Sequence, residues 1–512
     1  MNSVAPFGSI LFDRPGDGAE RDDPGMFRDL NLDQVFAAAV SGRDEYDLMP
    51  FFRTPLRDAR AVAYRHEAQR DLEAEPLGKA VAEFALRMRE MRQDLEMSGK
   101  LRARYQKEHW LLEAARVYVQ AVATLARALD TSELASAGFT RFRAYLADYA
   151  GSEAFTGLEA DIQAVTGALE DVRYCVNIKG NRVRVTKYED EPDYSAEVLR
   201  TFAKFAENAP KDYRVRFRNV AEMDHVEARI LDLVARLYPD AFSALDDFCA
   251  RRAGYLDGTI RAFDREVQFY AAYRDLIAPM KAAGLEFCYP AVSGTGKETT
   301  VRGAFDLALS AKLTPQAGAV VRNDFWLAGP ERIFVVTGPN HGGKTTFARM
   351  FGQLHYLASL GYPVPAREAV LFLPDRVFTH FEREEDLATL RGKFEDELVR
   401  IRSVLDQATG DSVLVMNESF ASTTLRDALY VGERVLGRMS SAGLLGVYVT
   451  FVDELASLNE ACVSMVGTVV PDNPAERTYE IVRRPADGLA YAASIAGKYR
   501  LQYPQLKERL AS

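Results

Sequence analysis

The sequence of this 512-residue chain contains the run Gly338-Pro339-Asn340-His341-Gly342-Gly343-Lys344-Thr345. This run fits the pattern G-x-x-x-x-G-K-[ST], a loop whose backbone N–H groups cradle phosphates. In such a loop the lysine reaches the β- and γ-oxygens, and the Ser or Thr hydroxyl binds magnesium. The apolar run 333–336 before the loop predicts a buried strand. Residues 346–360 after it predict a helix, whose N-terminal dipole favours phosphate. This order predicts a strand, a loop and a helix around a nucleotide.

The loop supplies most of the predicted ATP site. The expected nucleotide-binding residues are Gly338, Pro339, Asn340, His341, Gly342, Gly343, Lys344, Thr345 and Thr346. Lys344 is also expected to take part in catalysis, and Thr345 to bind Mg²⁺. The alternative is a glycine-rich turn with an incidental lysine, which accounts less well for the strand before the loop and the helix after it.

A second apolar run, residues 412–416, ends in Asn417-Glu418. A buried strand that ends in an acidic residue is typical of the Walker B strand, whose acidic end faces the phosphates. Glu418 is the candidate general base, placed to orient or deprotonate the attacking water. Asn417 stands where an aspartate usually supports magnesium, and we expect it to do so through a bound water. Taken alone, a glutamate after a buried strand is as often a structural acid.

Composition sets limits on the class of protein. The net charge is −10, whereas a protein that coats DNA without regard to sequence is normally basic. Contacts with nucleic acid must therefore come from local patches. The four cysteines are scattered and form no C-x-x-C pair, which argues for a reducing compartment and against a zinc or disulfide framework. The sequence shows neither a leader of the secretory type nor a membrane-spanning apolar run, so we expect a cytoplasmic protein.

The N-terminal half has mainly helical periodicity. Apolar residues spaced by four and three from Leu77 to Leu95 predict a long amphipathic helix, and residues 110–129 predict another. Between Tyr174 and Val185 the period changes to two, and Lys179-Gly180-Asn181 supplies a turn, which predicts a β-hairpin. Helical spacing resumes over 226–237, and a second long helix is expected across 242–270. The pattern predicts two long helical arms that flank a small β insertion.

Several segments resemble the MutS mismatch-repair ATPases. Residues 336–346 resemble the family's TGPNMGGKST loop, and residues 417–427 line up with its DE…GTST..D. Shorter resemblances lie at residues 361–366 (GSYVPA in the family), 375–379 (DRIFTR), 385–388 (DDLA), 463–465 and 487–492. The resemblance is close over 286–497, extends with less similarity over 215–285 and is weak before residue 170.

This resemblance, together with the periodicity, implies an α plus α/β fold. A long helical lever and core would carry a small clamp-like β insertion, followed by a P-loop ATPase domain of the ABC type with a mainly parallel sheet. The expected boundaries are 1–170 for the helical core and lever, 171–214 for the clamp-like insertion, 215–285 for the returning lever helices and 286–512 for the ATPase domain.

The chain departs from the family at several positions. The family's mismatch-reading domain with its Phe-x-Glu wedge, its connector and its C-terminal nuclease module are not expected here. Phe451 stands in place of a family histidine, and Asn417 in place of the Walker B aspartate. The segment that relatives deliver across the dimer, STF, corresponds to Gly392, Lys393 and Phe394. The resemblance therefore implies a truncated, divergent subfamily without base-mismatch readout.

In this family the clamp grips DNA, which makes Arg173, Arg182 and Arg184 on the hairpin candidate DNA contacts. A solvated hairpin face explains the same residues. The basic stretch 87–107 has the same two interpretations, DNA contact or an exposed helix face. Phe325 lies in a segment similar to the family's PND, and it either stacks on the adenine or belongs to the core.

The leading hypothesis is a homodimeric, ATP-hydrolysing, DNA-binding protein of repair or recombination, with ATP and Mg²⁺ as ligands and DNA as partner. The alternative is a switch that binds ATP without hydrolysing it and recruits a protein partner. A third hypothesis, an ABC-type motor on a client other than DNA, is disfavoured because the sequence has no LSGGQ-like loop.

Overall fold

The computed structural model describes residues 7–14, 23–180, 182–191, 223–313, 320–383, 392–471 and 473–486. Within these residues the protein combines helices with sheets, as expected for an α plus α/β fold. The helices are α1 (Pro24–Asp29), α2 (Leu32–Val40), α3 (Met49–Phe52), α4 (Ala59–Glu73), α5 (Glu75–Lys100), α6 (Arg104–Thr131), α7 (Ala137–Ala150), α8 (Glu153–Glu170), α9 (His225–Leu237), α10 (Pro239–Arg252), α11 (Gly258–Ala282), α12 (Leu307–Leu313), α13 (Lys344–Ser359), α14 (Lys393–Gln407) and α15 (Leu425–Ala442).

The strands of the described residues form three sheets. They are β1 (Tyr174–Lys179), β2 (Arg182–Lys187), β3 (Ala291–Ser293), β4 (Thr299–Ala304), β5 (Asn323–Leu327), β6 (Ile333–Thr337), β7 (Glu368–Phe372), β8 (Val377–Phe381), β9 (Val413–Asn417), β10 (Leu445–Val449), β11 (Cys462–Val470) and β12 (Asn473–Arg483). Short 3₁₀ turns lie at Asp44–Tyr46 and Asp453–Ser457. None of the helices that the structure describes combines the length and apolar character needed to cross a membrane.

The chain divides into two compact units. The first comprises Met1–Phe7, Asp71–Ala135 and Phe139–Asp264, and the second comprises Gly8–Arg70, Ser136–Gly138 and Arg265–Ser512. Residues 8–70 therefore belong to the same unit as the phosphate-loop segment. Periodicity along the sequence could not have indicated this, because it reports which face a helix buries and not against which element.

The first unit is mainly helical and contains the hairpin. The predicted helix at Leu77–Leu95 is confirmed as α5, which packs against α6 and whose stripe of Val81, Phe84, Met88 and Met91 is buried. The predicted hairpin is confirmed as β1 paired antiparallel with β2, with Val176 opposite Val185. Near the base of the hairpin, Val185 packs against the apolar cluster around Val234 of α9.

The single long helix expected across 242–270 is wrong, because the structure has two helices there, α10 and α11. The turn between them contains Gly254, which has a low helix propensity. At the start of α11 the Asp257 carboxylate accepts the backbone N–H groups of Thr259 and Ile260, both at 2.9 Å. This cap satisfies backbone donors at the helix N-terminus and fixes a new starting point.

The second unit contains a six-stranded sheet in the order β12-β11-β6-β10-β9-β8. Its ladders are parallel except for the pair β11 and β12, which agrees with the mainly parallel sheet that the strand and helix alternation predicts. Strands β6, β9 and β10 are buried along their whole length, as central parallel strands covered on both faces should be. A separate mixed sheet, β3-β7-β4-β5, was not predicted.

Candidate functional site

The loop between β6 and α13 has a backbone that requires its glycines. Gly338 has φ 116° and Gly343 has φ 91°, values in the left-handed region that residues with a side chain rarely adopt. A Cβ atom at Gly338 would also lie only 2.9 Å from the backbone nitrogen of Gly467. The close approach of this loop to β11 therefore depends on glycine. His341 is exposed and also has a positive φ, at 60°.

Lys344 is the first residue of α13, and its side chain bends back over the loop. The residue is 3% exposed, and its Nζ donates to the carbonyl oxygens of Gly338 at 3.0 Å and Pro339 at 3.1 Å. Burial lowers the pKa of the Lys344 ammonium. The negative charge of Glu418 opposes this shift, and the positive charge of Arg477 adds to it. A buried ammonium with so little compensating charge is well suited to an anionic ligand.

Strand β12 lies against the loop and adds a residue that the sequence did not suggest. The Arg477 Nε donates to the backbone oxygen of Asn340 at 3.2 Å. A Cβ atom at Gly343 would lie 3.2 Å from the backbone oxygen of Tyr479. Nothing in the local sequence marks Arg477, because the contact joins residues 137 positions apart. These contacts hold the loop from the side of β12.

Asn417 and Glu418 lie at the edge of the sheet where the loop begins. Strands β6, β9 and β10 are parallel, with Val449 opposite both Val336 and Asn417, so their carboxyl ends meet at one edge. The backbone N–H of Glu418 donates to the Val449 oxygen at 3.1 Å. Glu418 has φ 50°, a conformation that costs a residue with a side chain about 1–3 kcal/mol. The structure therefore brings Glu418 and Lys344 to the same edge.

Asn417 keeps an acceptor that the protein does not use. The residue is 8% exposed, and among the described residues its Oδ1 has no hydrogen-bond partner. A buried amide oxygen without a partner is costly, and a magnesium-bound water would satisfy it. Thr345, in the first turn of α13 beside Lys344, supplies a hydroxyl of the kind that binds magnesium in phosphate loops. The side chains at this edge thus fit the expected magnesium ion.

The prediction that Phe325 binds nucleotide needs correction. Phe325 is 1% exposed and lies on β5. Its ring centroid is 5.5 Å from that of Phe334, 5.4 Å from that of Phe347 and 5.9 Å from that of Phe351. A ring enclosed in this way cannot stack on an adenine. Of the two interpretations of Phe325, the structure supports the core aromatic.

The segment Gly392-Lys393-Phe394 begins helix α14, with Gly392 at its N-cap. The Lys393 Nζ donates to the Glu382 carboxylate of the same chain, and the Phe394 ring lies 6.2 Å from that of Phe420. Their proposed role across a dimer stays a prediction. Phe451, at the position where the family that the sequence resembles has a histidine, is about half exposed and lies just after β10.

In the first unit, the hairpin places two of the candidate DNA contacts together. Arg182 is opposite Lys179 and Arg184 is opposite Asn177, so both arginines share one face with Lys179, and all three of these basic residues are exposed. Arg173 precedes β1 and lies outside the ladder. The hairpin therefore presents a small basic face, and its contact with DNA stays a prediction.

Comparisons with known proteins match the segment of the chain that contains this site. The family model for MutS domain V matches residues 334–490. The DNA mismatch repair protein MutS of Thermotoga neapolitana is 29% identical over 170 residues, or 33% of this chain and 21% of that protein. The MutS of Psychrobacter cryohalolentis is 35% identical over 129 residues, which are 25% of this chain and 12% of that protein. The MutS of Paracoccus denitrificans is 29% identical over 252 residues, which are 48% of this chain and 28% of that protein. The chain thus matches less than a third of the length of each of these relatives.

Proposed function

We propose that this chain, whose residues 334–490 match the family model for MutS domain V, is an ATP-dependent DNA-binding ATPase of the MutS family that acts as a homodimer. We propose that it acts in DNA repair or recombination and does not recognise mismatched bases. The chain covers only part of its relatives, so the DNA partner, the dimer and the hydrolysis are all part of this proposal.

The observation that carries the proposal is the meeting of the phosphate loop and Glu418 at one edge of the sheet. The loop N–H groups and Lys344 would hold the triphosphate, with the dipole of α13 favouring its negative charge. Glu418 would hold the attacking water and accept its proton. Thr345 and, through a bound water, Asn417 would hold magnesium, which would supply positive charge to neutralise the phosphates. This arrangement suits hydrolysis of a nucleoside triphosphate.

The alternative, an ATP-binding switch without hydrolysis, has its own support. Asn417 provides one negative charge less beside the metal than an aspartate would. Phe451 has no hydrogen-bonding group at the position where relatives carry a histidine. Each change would slow hydrolysis while leaving the phosphate loop intact. Steady-state ATP turnover, with and without branched DNA, separates the two functions.

A panel of DNA ligands tests the DNA part of the proposal. Affinities for duplex, mismatched duplex, single strand, fork and Holliday junction are measured with and without ATP. We expect mismatched and plain duplex to bind equally well, because base readout needs a side chain placed in or against a groove and the sequence shows no Phe-x-Glu wedge before Leu77. A mismatch preference of about tenfold or more, about 1.4 kcal/mol, would contradict this.

Replacing both hairpin arginines, Arg182→Ala with Arg184→Ala, should weaken binding of the best DNA ligand about tenfold. It should also make the slope of log affinity against log salt less steep by roughly 2, because each lost phosphate contact releases about one counterion fewer. The control pair Arg60→Ala with Arg402→Ala removes the same charge from exposed sites in the other unit. Equal losses in both pairs would show that only net charge matters, which excludes a hairpin contact.

Lys393→Ala should lower ATP turnover at least about tenfold, about 1.4 kcal/mol of transition-state stabilisation, if Lys393 reaches the γ-phosphate of a partner subunit. Mixing it with Lys344→Ala should restore some activity, because one site of a mixed dimer then combines an intact Lys344 with a partner's intact Lys393. Glu382→Ala is the matched variant, since it removes the carboxylate that pairs with Lys393 within one chain. It should leave turnover at or above the parental value.

A separate measurement tests the dimer. The molar mass of the hydrolysis-deficient Glu418→Ala protein is determined by light scattering in the presence of ATP. A monomeric mass, an undiminished turnover of Lys393→Ala, or a mixture without rescue would each rule out a lysine acting across the dimer. The slow switch would then be the better description.

A further inference from the structure

Glu397 is a carboxylate at a position where helix α14 otherwise buries apolar side chains. Phe394, Leu398, Ile401, Val404 and Leu405 of this helix pack into the core that contains Met416 and Phe420. Residue 397 falls in the same stripe by helical spacing, and Glu397 is 2% exposed. A buried carboxylate is unfavourable unless hydrogen bonds compensate for its lost hydration. Hydrogen-bond donors are therefore expected close to the Glu397 carboxylate.

The hydrogen-bond partner of Glu397 lies in the loop that follows Glu418. The Ser422 hydroxyl donates to its Oε2 at 3.2 Å. Among the described residues the Glu397 Oε1 has no hydrogen-bond partner. The ring of Phe394, on the same helix as Glu397, lies 6.2 Å from that of Phe420. Phe420 and Ser422 belong to one five-residue stretch that begins at Glu418, so helix α14 contacts this stretch through the Phe394 ring and through the Glu397 carboxylate.

This stretch has a backbone that needs such support. Glu418 has φ 50° and Phe420 has φ 64°, and neither residue is a glycine. Non-glycine residues stay in the left-handed region only where their surroundings hold them there. At one end of the stretch the Glu418 N–H donates to the Val449 oxygen, and at the other end the Ser422 hydroxyl donates to the Glu397 carboxylate. The direction of the Glu418 side chain depends on both.

We propose that Glu397 is a positioning residue for Glu418, which holds the 418–422 loop in its left-handed conformation and so aims the Glu418 carboxylate at the attacking water. This role rests on the proposed ATP hydrolysis. A merely structural Glu397 would affect the stability of the fold and change ATP binding and turnover together. A positioning role affects turnover alone, because the phosphate loop lies on β6 and α13, and Glu397 is hydrogen-bonded to the 418–422 loop instead.

The test compares ATP affinity, KM and kcat of the full chain with those of Glu397→Ala, Glu397→Gln and Ser422→Ala. Glu395→Ala is the matched control, since it removes an exposed carboxylate from the same helix. We expect Glu397→Ala to lower kcat at least twentyfold with KM and ATP affinity within twofold. Glutamine keeps the shape of the side chain and one acceptor oxygen, so Glu397→Gln should retain at least half of the parental kcat. Ser422→Ala should lose three- to fivefold, and Glu395→Ala should be unchanged.

A kcat of Glu397→Ala within twofold of the parent would overturn the proposal. A parallel loss of ATP affinity would also overturn it. So would a Glu397→Gln protein as inactive as Glu397→Ala, because the negative charge, and not the acceptor oxygen, would then be what turnover requires. If Glu397→Ala does not fold, Glu397→Gln and Ser422→Ala decide, and a parental kcat for Ser422→Ala overturns the proposal. A parental protein that binds ATP without turnover refutes the proposed hydrolysis, and the positioning role with it, whatever the variants show.

Discussion

Lys344→Ala should weaken ATP binding at least about a hundredfold, which corresponds to about 2.7 kcal/mol. The Lys344 Nζ lies over the loop, on the carbonyl oxygens of Gly338 and Pro339, where the β- and γ-phosphates would be. Burial leaves the Lys344 ammonium poorly solvated, so it would interact strongly with a bound triphosphate anion. Alanine removes this interaction entirely. Titration with a fluorescent ATP analogue measures the loss.

Two comparisons make this result specific. Lys312→Ala removes an exposed lysine from α12 and should leave ATP affinity unchanged. AMP lacks the phosphates that Lys344 would contact, so its weaker binding should be the same in Lys344→Ala and in the parent. If Lys344→Ala binds ATP within threefold of the parental protein, the loop is not a triphosphate site.

Glu418→Ala should leave ATP affinity within about threefold and lower turnover at least about a hundredfold, about 2.7 kcal/mol of transition-state stabilisation. The residue lies at the end of β9, on the sheet edge from which the phosphate loop starts, and it is only partly buried. Removing the group that accepts the proton of the attacking water affects the chemical step and spares the contacts to the triphosphate. Single-turnover hydrolysis and equilibrium binding separate the two effects.

Glu418→Gln keeps the size of the side chain and removes its charge, so it should be as slow as Glu418→Ala. Glu454→Ala removes an exposed carboxylate from the 3₁₀ turn after β10 and should hydrolyse ATP at the parental rate. Hydrolysis at the parental rate in Glu418→Ala would mean that another group activates the water. Glu418 would then be the structural acid that a glutamate after a buried strand often is.

The positions of the principal elements could be predicted from the sequence because they depend on short-range patterns. The phosphate loop is recognisable from eight consecutive residues, and its flanking strand and helix from the apolar runs beside it. The α5 stripe and the β1–β2 hairpin follow from periods of 3.6 and 2. The sequence also identified Asn417-Glu418 as the end of a buried strand, and the parallel sheet then accounts for its place beside the loop. Local spacing carried these predictions.

Tertiary structure decided everything that depends on residues far apart in the chain. Only packing shows that Phe325 is enclosed by aromatic rings of β6 and α13, that residues 8–70 belong to the second unit, and that Lys393 is paired with Glu382. Arg477 contacts the phosphate loop across 137 positions in the sequence. Glu397 on α14 accepts a hydrogen bond from Ser422, which lies in the loop after β9. A sequence pattern specifies which face of an element is buried, whereas the identity of the partner is fixed only when the elements pack. For that reason the nucleotide-site motif is readable from consecutive residues, whereas the side chains that support it are identified only by packing.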